Sequence, residues 1–130
     1  MTSTLTYDDL KARVTTYFAA VDDRDLEKTL SLFAPDATFS VRTDHVTLTG
    51  VDEIRSMFAA FMRSKTMLHE VLHITVDERA RKVSTEQRYT GELEDGTTSD
   101  MQNCNFFDLG EDGRFTRVVI WMAGSNPLRG

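Results

Sequence analysis

The sequence contains a single cysteine, Cys104, so no intramolecular disulfide can form, and a reducing cytosol is the simplest compartment. Proline is also scarce, and no apolar run approaches the roughly 18 residues that a bilayer crossing needs. Residues 1–8 are polar and acidic without an apolar segment, so a secretory signal is not expected. We therefore expect a cytoplasmic protein that does not span a membrane.

The chain also lacks an excess of positive charge. It has 15 lysines and arginines against 21 aspartates and glutamates, which gives a formal net charge of −6. A general nucleic-acid binder needs clustered basic side chains to displace counterions from phosphates. The longest basic cluster, residues 79–82, is interrupted by Ala80 and is typical of a solvated turn. Nucleic acid is therefore not an expected partner.

No repeat, linker or low-complexity tract divides the chain. Its 130 residues are 40% hydrophobic, which supplies material for one core and leaves little room for a second. We expect a single domain over residues 1–130.

Helical patterns occupy the first half of the chain. Thr6 followed by Asp9 is typical of a capped helix start, and apolar residues then recur at helical spacing over residues 10–21. A second short apolar stripe covers residues 26–33. A third helix is predicted over residues 52–62, with two acidic residues in its first turn.

Strand patterns fill the rest of the chain. The β-favouring runs are Ala37–Val41, Val46–Thr49, Met67–Val76, Val83–Leu93, Asp100–Leu109 and Phe115–Met122. Turn signals at residues 94–96 and 111–113 separate the last three runs. Grouped helices and grouped strands indicate an α+β fold. A curled antiparallel sheet that buries its concave face against the helices would leave a cavity at its mouth.

Residues 69–73 spell HEVLH, which matches the HExxH pattern of zinc metalloproteases. Two such histidines share one zinc only when they lie one turn apart on a helix. Thr66 and Thr75 favour a strand, in which residues four apart are separated by about 13 Å. The remaining histidine, His45, lies in a polar turn. We therefore expect no zinc site, and no other metal or cofactor.

A regular strand over residues 67–76 would turn four side chains to one face, namely His69, Val71, His73 and Thr75. Two interpretations of His73 remain open: a core histidine satisfied by a neighbouring polar group, or a functional one. Asp22 is likewise either an exposed residue at a helix end or part of a pocket. Tyr17 lies about 140° from Asp22 around an ideal helix, so spacing alone does not bring the two together.

Several segments resemble a known superfamily. Residues 17–22 (YFAAVD) and 30–39 (LSLFAPDATF) resemble the opening of SnoaL-like and other nuclear-transport-factor-2-like proteins. Residues 69–73 are similar to the corresponding strand in lindane dehydrochlorinase and bile-acid 7α-dehydratase, with scytalone dehydratase a more distant relative. Residues 107–115 resemble the last hairpin of the superfamily. The resemblance covers nearly the whole chain and implies a cone-shaped α+β fold, in which three helices from the N-terminal half wrap a curved mixed or antiparallel sheet (a cystatin-like α+β barrel).

The resemblance also implies a site. Its Asp–His dyad falls on Asp22 and His73, and Tyr17 falls where the bile-acid dehydratase has a functional tyrosine. Five further residues are predicted to bind substrate on other grounds, namely Asn103, Asn105, Phe61, Met122 and His69. Asn103 and Asn105 alternate along one strand and so share a face, which is either the pocket or the solvated side of the sheet. Phe61 and Met122 are core candidates first and pocket lining second. The implied activity is that of a cofactor-independent lyase (dehydratase- or dehydrochlorinase-like) or isomerase that acts on a hydrophobic cyclic molecule such as a steroid, terpenoid or polyketide. A polyketide cyclase, or a non-catalytic binding or dimerisation module of the same fold, is the alternative.

The chain departs from some relatives. The ketosteroid isomerase base would fall near Val41 and its oxyanion-hole aspartate near Asn105, so neither carboxylate is present. The arginine of some dehydrohalogenases has no clear counterpart, although Arg117 is nearby. Epoxide or ester hydrolysis needs paired carboxylates, and Asp22 has no obvious partner. A free sheet face carrying Val119 and Trp121 predicts a homodimer.

Overall fold

The structure, a computed structural model, describes residues 4–124 and 126–129. The helices are α1 (Tyr7–Asp22), α2 (Leu26–Ser31) and α3 (Val51–Phe61). The strands are β1 (Phe33–Val41), β2 (Val46–Thr49), β3 (Thr66–Asp77), β4 (Lys82–Glu92), β5 (Thr98–Leu109) and β6 (Phe115–Trp121). Two short 3-10 turns cover Arg42–Asp44 and Pro127–Arg129.

The six strands form one sheet in the order β2-β1-β6-β5-β4-β3. β1 pairs with β6 in parallel, and every other neighbouring pair is antiparallel. The sheet is curved and open, and the three helices pack against its concave face. The predicted α+β fold with a curved mixed sheet and three helices is confirmed.

The predicted cap at the start of α1 is present. The Thr6 hydroxyl accepts a hydrogen bond from the Asp9 amide (3.2 Å), and the Asp9 carboxylate accepts one from the Thr6 amide (3.0 Å). This reciprocal box satisfies two amides that the helix leaves without partners. The helix then buries one apolar face, which consists of Leu10, Val14, Tyr17, Phe18, Ala20 and Val21.

β1 begins earlier than the sequence predicts. It starts at Phe33 and runs through Pro35, whereas the helical stripe was predicted to continue to Phe33 and the strand to begin at Ala37. The pairing of β1 with β6 is irregular between Phe33 and Thr38. Proline has no amide hydrogen to donate, and an irregular stretch of the ladder is where a strand tolerates it.

β3 contains a bulge that changes which way its side chains face. Val71 pairs with Gln87 of β4, but the next pair is His73 with Glu86, so one β3 residue has no partner in the register. Paired residues share a face of the sheet, and Gln87 is buried while Glu86 is exposed. The odd-numbered residues of β3 therefore face inward before the bulge and outward after it.

The core between α1, α3 and the sheet is largely aromatic. The Tyr17 ring lies at its centre, and five phenylalanine rings meet it edge to face at centroid distances of 5.1–6.2 Å. These rings belong to Phe18, Phe33, Phe58, Phe107 and Phe115. Edge-to-face contacts add to the burial of apolar area, so this cluster fixes how α1 sits on the sheet.

The outer face of the sheet is not covered by other parts of the described chain. Phe106 is 44% exposed there and Trp121 53%, and the two lie on neighbouring strands beside the buried Val119.

Among the described residues, none of the helices has the length and apolar character that a bilayer crossing requires.

We propose that this outer face forms a homodimer, because a contiguous patch with an exposed tryptophan is typical of an interface. Light scattering during size-exclusion chromatography is expected to give twice the mass of one chain. Trp121→Glu is expected to give monomers, since it puts a charge at the centre of the patch. Tyr7→Glu, at an exposed aromatic on the helical side, is the control and should remain dimeric. A monomeric wild type, or a dimeric Trp121→Glu, would contradict the proposal.

Candidate functional site

The end of α1 and the start of β3 meet through Asp22 and His69. One Asp22 oxygen lies 2.6 Å from Nδ1 of the His69 ring, and the other accepts a hydrogen bond from the His69 backbone amide at 2.8 Å. Only 14% of the His69 side chain and 17% of the Asp22 side chain are exposed. Both carboxylate oxygens are therefore committed to one residue, which fixes the ring as well as the backbone.

This contact assigns the two nitrogens of the ring different roles. An ionised carboxylate only accepts hydrogen bonds, so in the neutral ring Nδ1 carries the proton and Nε2 keeps the lone pair. Two aromatic rings hold the imidazole plane, that of Phe18 at 5.3 Å and that of Tyr89 at 4.8 Å between centroids. The imidazole is thus held in one tautomer and one orientation.

The predicted pairing of Asp22 with His73 is wrong: Asp22 makes its hydrogen bonds to His69. His73 follows the bulge and is exposed. It borders an open groove of about 680 Å³ between α1 and β3, and Asp22 and His69 line the same groove. The prediction assumed unbroken alternation along the strand, and Leu72 interrupts that alternation. The predicted common face is therefore divided, because Thr75 also faces outward whereas His69 and Val71 face inward.

The inward side of His69 belongs to the wall of an internal cavity between the helices and the sheet. The wall contains six of the residues predicted for the site, namely Tyr17, Phe61, His69, Asn103, Asn105 and Met122. Its other members are Val21, Phe58, Gln87, Tyr89, Ile120, Pro127 and Leu128. The structure thus brings together every predicted substrate-binding residue, and Tyr17 with them.

Buried amides form a polar patch on the sheet side of the cavity. The Thr85 hydroxyl donates to the side-chain oxygen Oε1 of Gln87 (2.8 Å). The side-chain nitrogen Nε2 of Gln87 donates in turn to the side-chain oxygen Oδ1 of Asn105 (2.8 Å). The side-chain oxygen Oδ1 of Asn103 accepts a hydrogen bond from the Ala123 backbone amide (3.2 Å). With their oxygens engaged in this way, both asparagines keep amide N–H groups as donors at the cavity wall.

Two tyrosines complete the polar part of the wall. Burial raises the pKa of Tyr17, and the nearby Asp22 carboxylate raises it further. Burial raises the pKa of Tyr89 to about 12; Asp22 also raises it and Arg24 opposes the shift. Both phenols therefore stay protonated at neutral pH and are available as hydrogen-bond donors.

Sequence reasoning missed Gln87 and Tyr89. Both lie on the inward face of β4, but a glutamine and a tyrosine in a strand carry no motif. One local signal was available, because Gly91 follows Tyr89 by two residues on the same face. A Cβ at position 91 would lie 2.1 Å from the Tyr89 hydroxyl oxygen and 2.8 Å from the Thr66 carbonyl oxygen. The glycine makes room for the ring that packs on His69.

Two other residues lie outside the cavity. Arg117 faces the outer side of the sheet, where its guanidinium is 3.7 Å from Asp108. Cys104 alternates with the inward-facing asparagines and faces outward beside Trp121. Within the described part of the chain, no three histidine, cysteine, aspartate or glutamate side chains are grouped closely enough to hold a metal ion.

The cavity itself is small, about 30 Å³, which is the space of roughly one water molecule. Sites for drug-sized ligands occupy about 300–1,000 Å³. The C-terminal turn contributes the buried Pro127 and the half-buried Leu128 to the wall, and the Met122 side chain lies beside them. A ring-sized ligand enters this cavity only if the turn, Met122 or another part of the wall moves, whereas the open groove on the Asp22 side of His69 already has that volume.

Comparison with known proteins gives one family and several structures. Residues 14–118 match the model of the SnoaL-like domain. The fold is similar to that of SalBIII, an epoxide hydrolase/cyclase-like enzyme with a role in pyran ring formation in the polyether salinomycin. The two chains are 16% identical with a TM-score of 0.81, and the match covers 89% of this chain and 92% of SalBIII. AusH from Aspergillus nidulans is 19% identical with a TM-score of 0.79, over 95% and 90%.

An LEH-like epoxide hydrolase from M. tuberculosis is 15% identical with a TM-score of 0.76, over 88% of this chain and 83% of that chain. No curated protein matches significantly. At such low identity, the structural matches establish a common fold and leave the activity to be argued from the site.

Leu128→Ala should open the cavity to ligands, because it shortens a side chain that lines the wall. Anilinonaphthalene sulfonate, a fluorescent dye for apolar pockets, is expected to bind several-fold more tightly to this variant in the absence of denaturant. Leu68→Ala, at a leucine that is 50% exposed, is the control and should bind like the wild type. Equal dye affinity in all three folded proteins would show that Leu128 does not restrict entry.

Stability should fall at high pH because of the buried phenols. An exposed tyrosine has a pKa of 10.0, whereas that of Tyr89 is about 12. Between these values the native state retains a proton that the unfolded chain has released, so stability present below pH 10 is lost as the pH rises. Urea unfolding midpoints should therefore decline over this range, and less steeply in Tyr89→Phe. Equal slopes in the two proteins would contradict the assignment.

Proposed function

The chain belongs to the SnoaL-like domain family, and from that premise we propose that it is a cofactor-independent acid–base enzyme, a lyase or isomerase. His69 is the proposed base and Asp22 is its orienting carboxylate. The proposed substrate is a hydrophobic cyclic small molecule of the steroid, terpenoid or polyketide type. The observation that carries the proposal is the two-point contact of Asp22 with His69 at the wall of the cavity.

The contact suits proton abstraction. Imidazole exchanges protons near neutral pH, so its free nitrogen is an effective base in that range. Asp22 holds the proton on Nδ1, which leaves Nε2 to accept one from the substrate. The carboxylate then stabilises the imidazolium that forms, as the aspartate of a serine-protease triad does for its histidine.

The polar patch suits an oxygen atom of the substrate. Asn103 and Asn105 offer amide donors, and the Tyr17 phenol is kept protonated by its buried surroundings. Donors held in a water-poor cavity stabilise charge that develops on an oxygen during reaction. A carbonyl group bound there would acidify the neighbouring C–H bond.

The proposed step removes a proton from the carbon atom next to a carbonyl group of the substrate. Nε2 of His69 takes the proton, and the electron pair of the C–H bond forms a new C=C bond. The electrons of the adjacent carbonyl shift onto its oxygen to give an enolate held by the amide donors. In the isomerisation of a β,γ-unsaturated ketone, the imidazolium returns the proton to the γ carbon, the C=C bond shifts into conjugation and the carbonyl re-forms. In an elimination, the enolate re-forms its carbonyl as the leaving group departs from the β carbon with its bonding electrons, and the imidazolium gives its proton to the leaving group or to water.

Hydrolysis fits the site less well. Activation of water by paired carboxylates requires two acidic residues at the reacting centre, and the described wall of the cavity contains none. Asp22 is the carboxylate behind His69, and both of its oxygens are engaged. Proton abstraction by the His69 ring, with Asp22 as its orienting carboxylate, therefore fits the site better than hydrolysis.

The proposal is tested by proton exchange into model ketones, which does not require the natural substrate to be identified. The protein is incubated in D2O with cyclohexanone, decalone or androstenedione, and deuterium at the α carbon is followed by NMR. The wild type is expected to catalyse exchange of at least one of these ketones. His69→Gln and Asp22→Asn are expected to lower the rate on the order of 10²–10⁴-fold, as loss of a general base does.

His73→Gln is the matched control, because it changes the other histidine of β3, whereas the Asp22 carboxylate contacts His69. It should exchange at the wild-type rate. Full activity in His69→Gln, or an equal loss in His73→Gln, would refute the proposed base. A ketone that binds to the wild type without exchange would instead favour the non-catalytic binding module.

A further inference from the structure

Arg24 lies two residues after Asp22 in a conformation that arginine rarely adopts. Its φ is +58°, in the left-handed region. That region brings the Cβ atom too close to the following carbonyl oxygen, so glycine or asparagine is usual there. The surrounding structure must therefore hold Arg24 in place.

The side chain of Arg24 reaches across to the turn between α3 and β3. Its Nη2 atom donates to the carbonyl oxygens of Ser64 and Lys65, both at 2.9 Å. Hydrogen bonds from a charged donor are among the stronger ones in proteins. One nitrogen thus joins the end of α1 to the residues that lead directly into β3.

The turn that Arg24 holds is itself fixed. The Ser64 amide and hydroxyl both donate to the Phe61 carbonyl oxygen, at 3.0 Å and 2.5 Å. The Lys65 amide donates to the Glu92 carbonyl oxygen on β4 at 2.7 Å. The two carbonyl groups that receive Arg24 are therefore presented from a rigid position relative to the sheet.

Arg24 and the proposed catalytic pair thus share the same two segments. Asp22 precedes Arg24 by two residues on one segment, and His69 follows Lys65 by four residues on the other. The guanidinium also lies close enough to Tyr89 to influence its phenol, and Tyr89 packs on the His69 ring. Any movement of the end of α1 away from β3 would separate the Asp22 carboxylate from His69.

We propose that Arg24 is a positioning residue that holds Asp22 against His69 by clamping the end of α1 to the turn before β3. The inference deepens the proposed function, on which its relevance to catalysis rests. The clamp itself is a statement about geometry and has a test that does not require turnover.

The test uses Arg24→Asn, because asparagine tolerates the left-handed backbone and lacks the guanidinium. The readout is the imidazole Nδ1–H resonance in the low-field proton NMR spectrum, assigned by its loss in His69→Gln. In the wild type the bond to Asp22 should protect this proton from exchange with water. In Arg24→Asn we expect the resonance to broaden or vanish at the same pH and temperature.

Arg24→Lys is the conservative variant. A single nitrogen of Arg24 serves both carbonyl groups, and a lysine ammonium carries three donors, so it is expected to restore the resonance. Arg63→Asn is the matched control, because Arg63 lies in the same turn, is exposed, and contacts Glu94 of the β4–β5 connection. It should leave the resonance unchanged.

With a ketone that the wild type exchanges, Arg24→Asn should lower kcat about tenfold or more and leave KM nearly unchanged, since it disturbs the base rather than the ketone contacts. The clamp is refuted if Arg24→Asn keeps a wild-type resonance, if Arg63→Asn loses it equally, or if the wild type shows no protected ring proton. If Arg24→Asn loses the protected proton, Arg63→Asn keeps it and the wild type exchanges no ketone, the clamp is supported and the proposed function is contradicted, so the two ideas fail separately.

Discussion

The Asp22 carboxylate joins a helix to the edge strand of the sheet by accepting two hydrogen bonds from one residue. β3 is paired on one side only, and its other side depends on α1 for cover. A partly buried carboxylate needs donors for both oxygens, and His69 supplies them from its backbone and its ring. The same contact therefore meets a structural need and fixes the tautomer that proton abstraction requires.

The cavity has two chemically different walls, and each follows from the sequence of the element behind it. α1 and α3 contribute the aromatic rings of Tyr17, Phe58 and Phe61 and the aliphatic side chain of Val21, which leave little space. The strands β4 and β5 contribute amides on alternate positions, which hydrogen-bond one another as well as facing the cavity. Burying polar groups is costly unless they are paired, and these side chains reduce that cost by hydrogen bonds within the protein.

Much of the fold could be predicted from the sequence, because helix capping, apolar periodicity and turn residues are local signals. Strand alternation also predicts that Asn103 and Asn105 share a face, although it does not say which face is buried. The contact of Asp22 with His69 rather than His73 could not be predicted, because a bulge depends on how two strands pair and leaves no mark on one of them. The contribution of Leu128 was equally hidden, since a turn of 3-10 helix reaches the cavity only through the path of the whole chain.

The bulge in β3 changes which positions of the strand face inward. Before Leu72, odd-numbered positions face inward, and His69 among them lines the cavity; after it, odd-numbered positions face the outer surface. The two histidines of the HEVLH segment therefore lie on opposite faces of the strand despite their short separation. In a related chain one residue shorter at this point, the strand would alternate without interruption and a histidine at the position of His73 would still face outward.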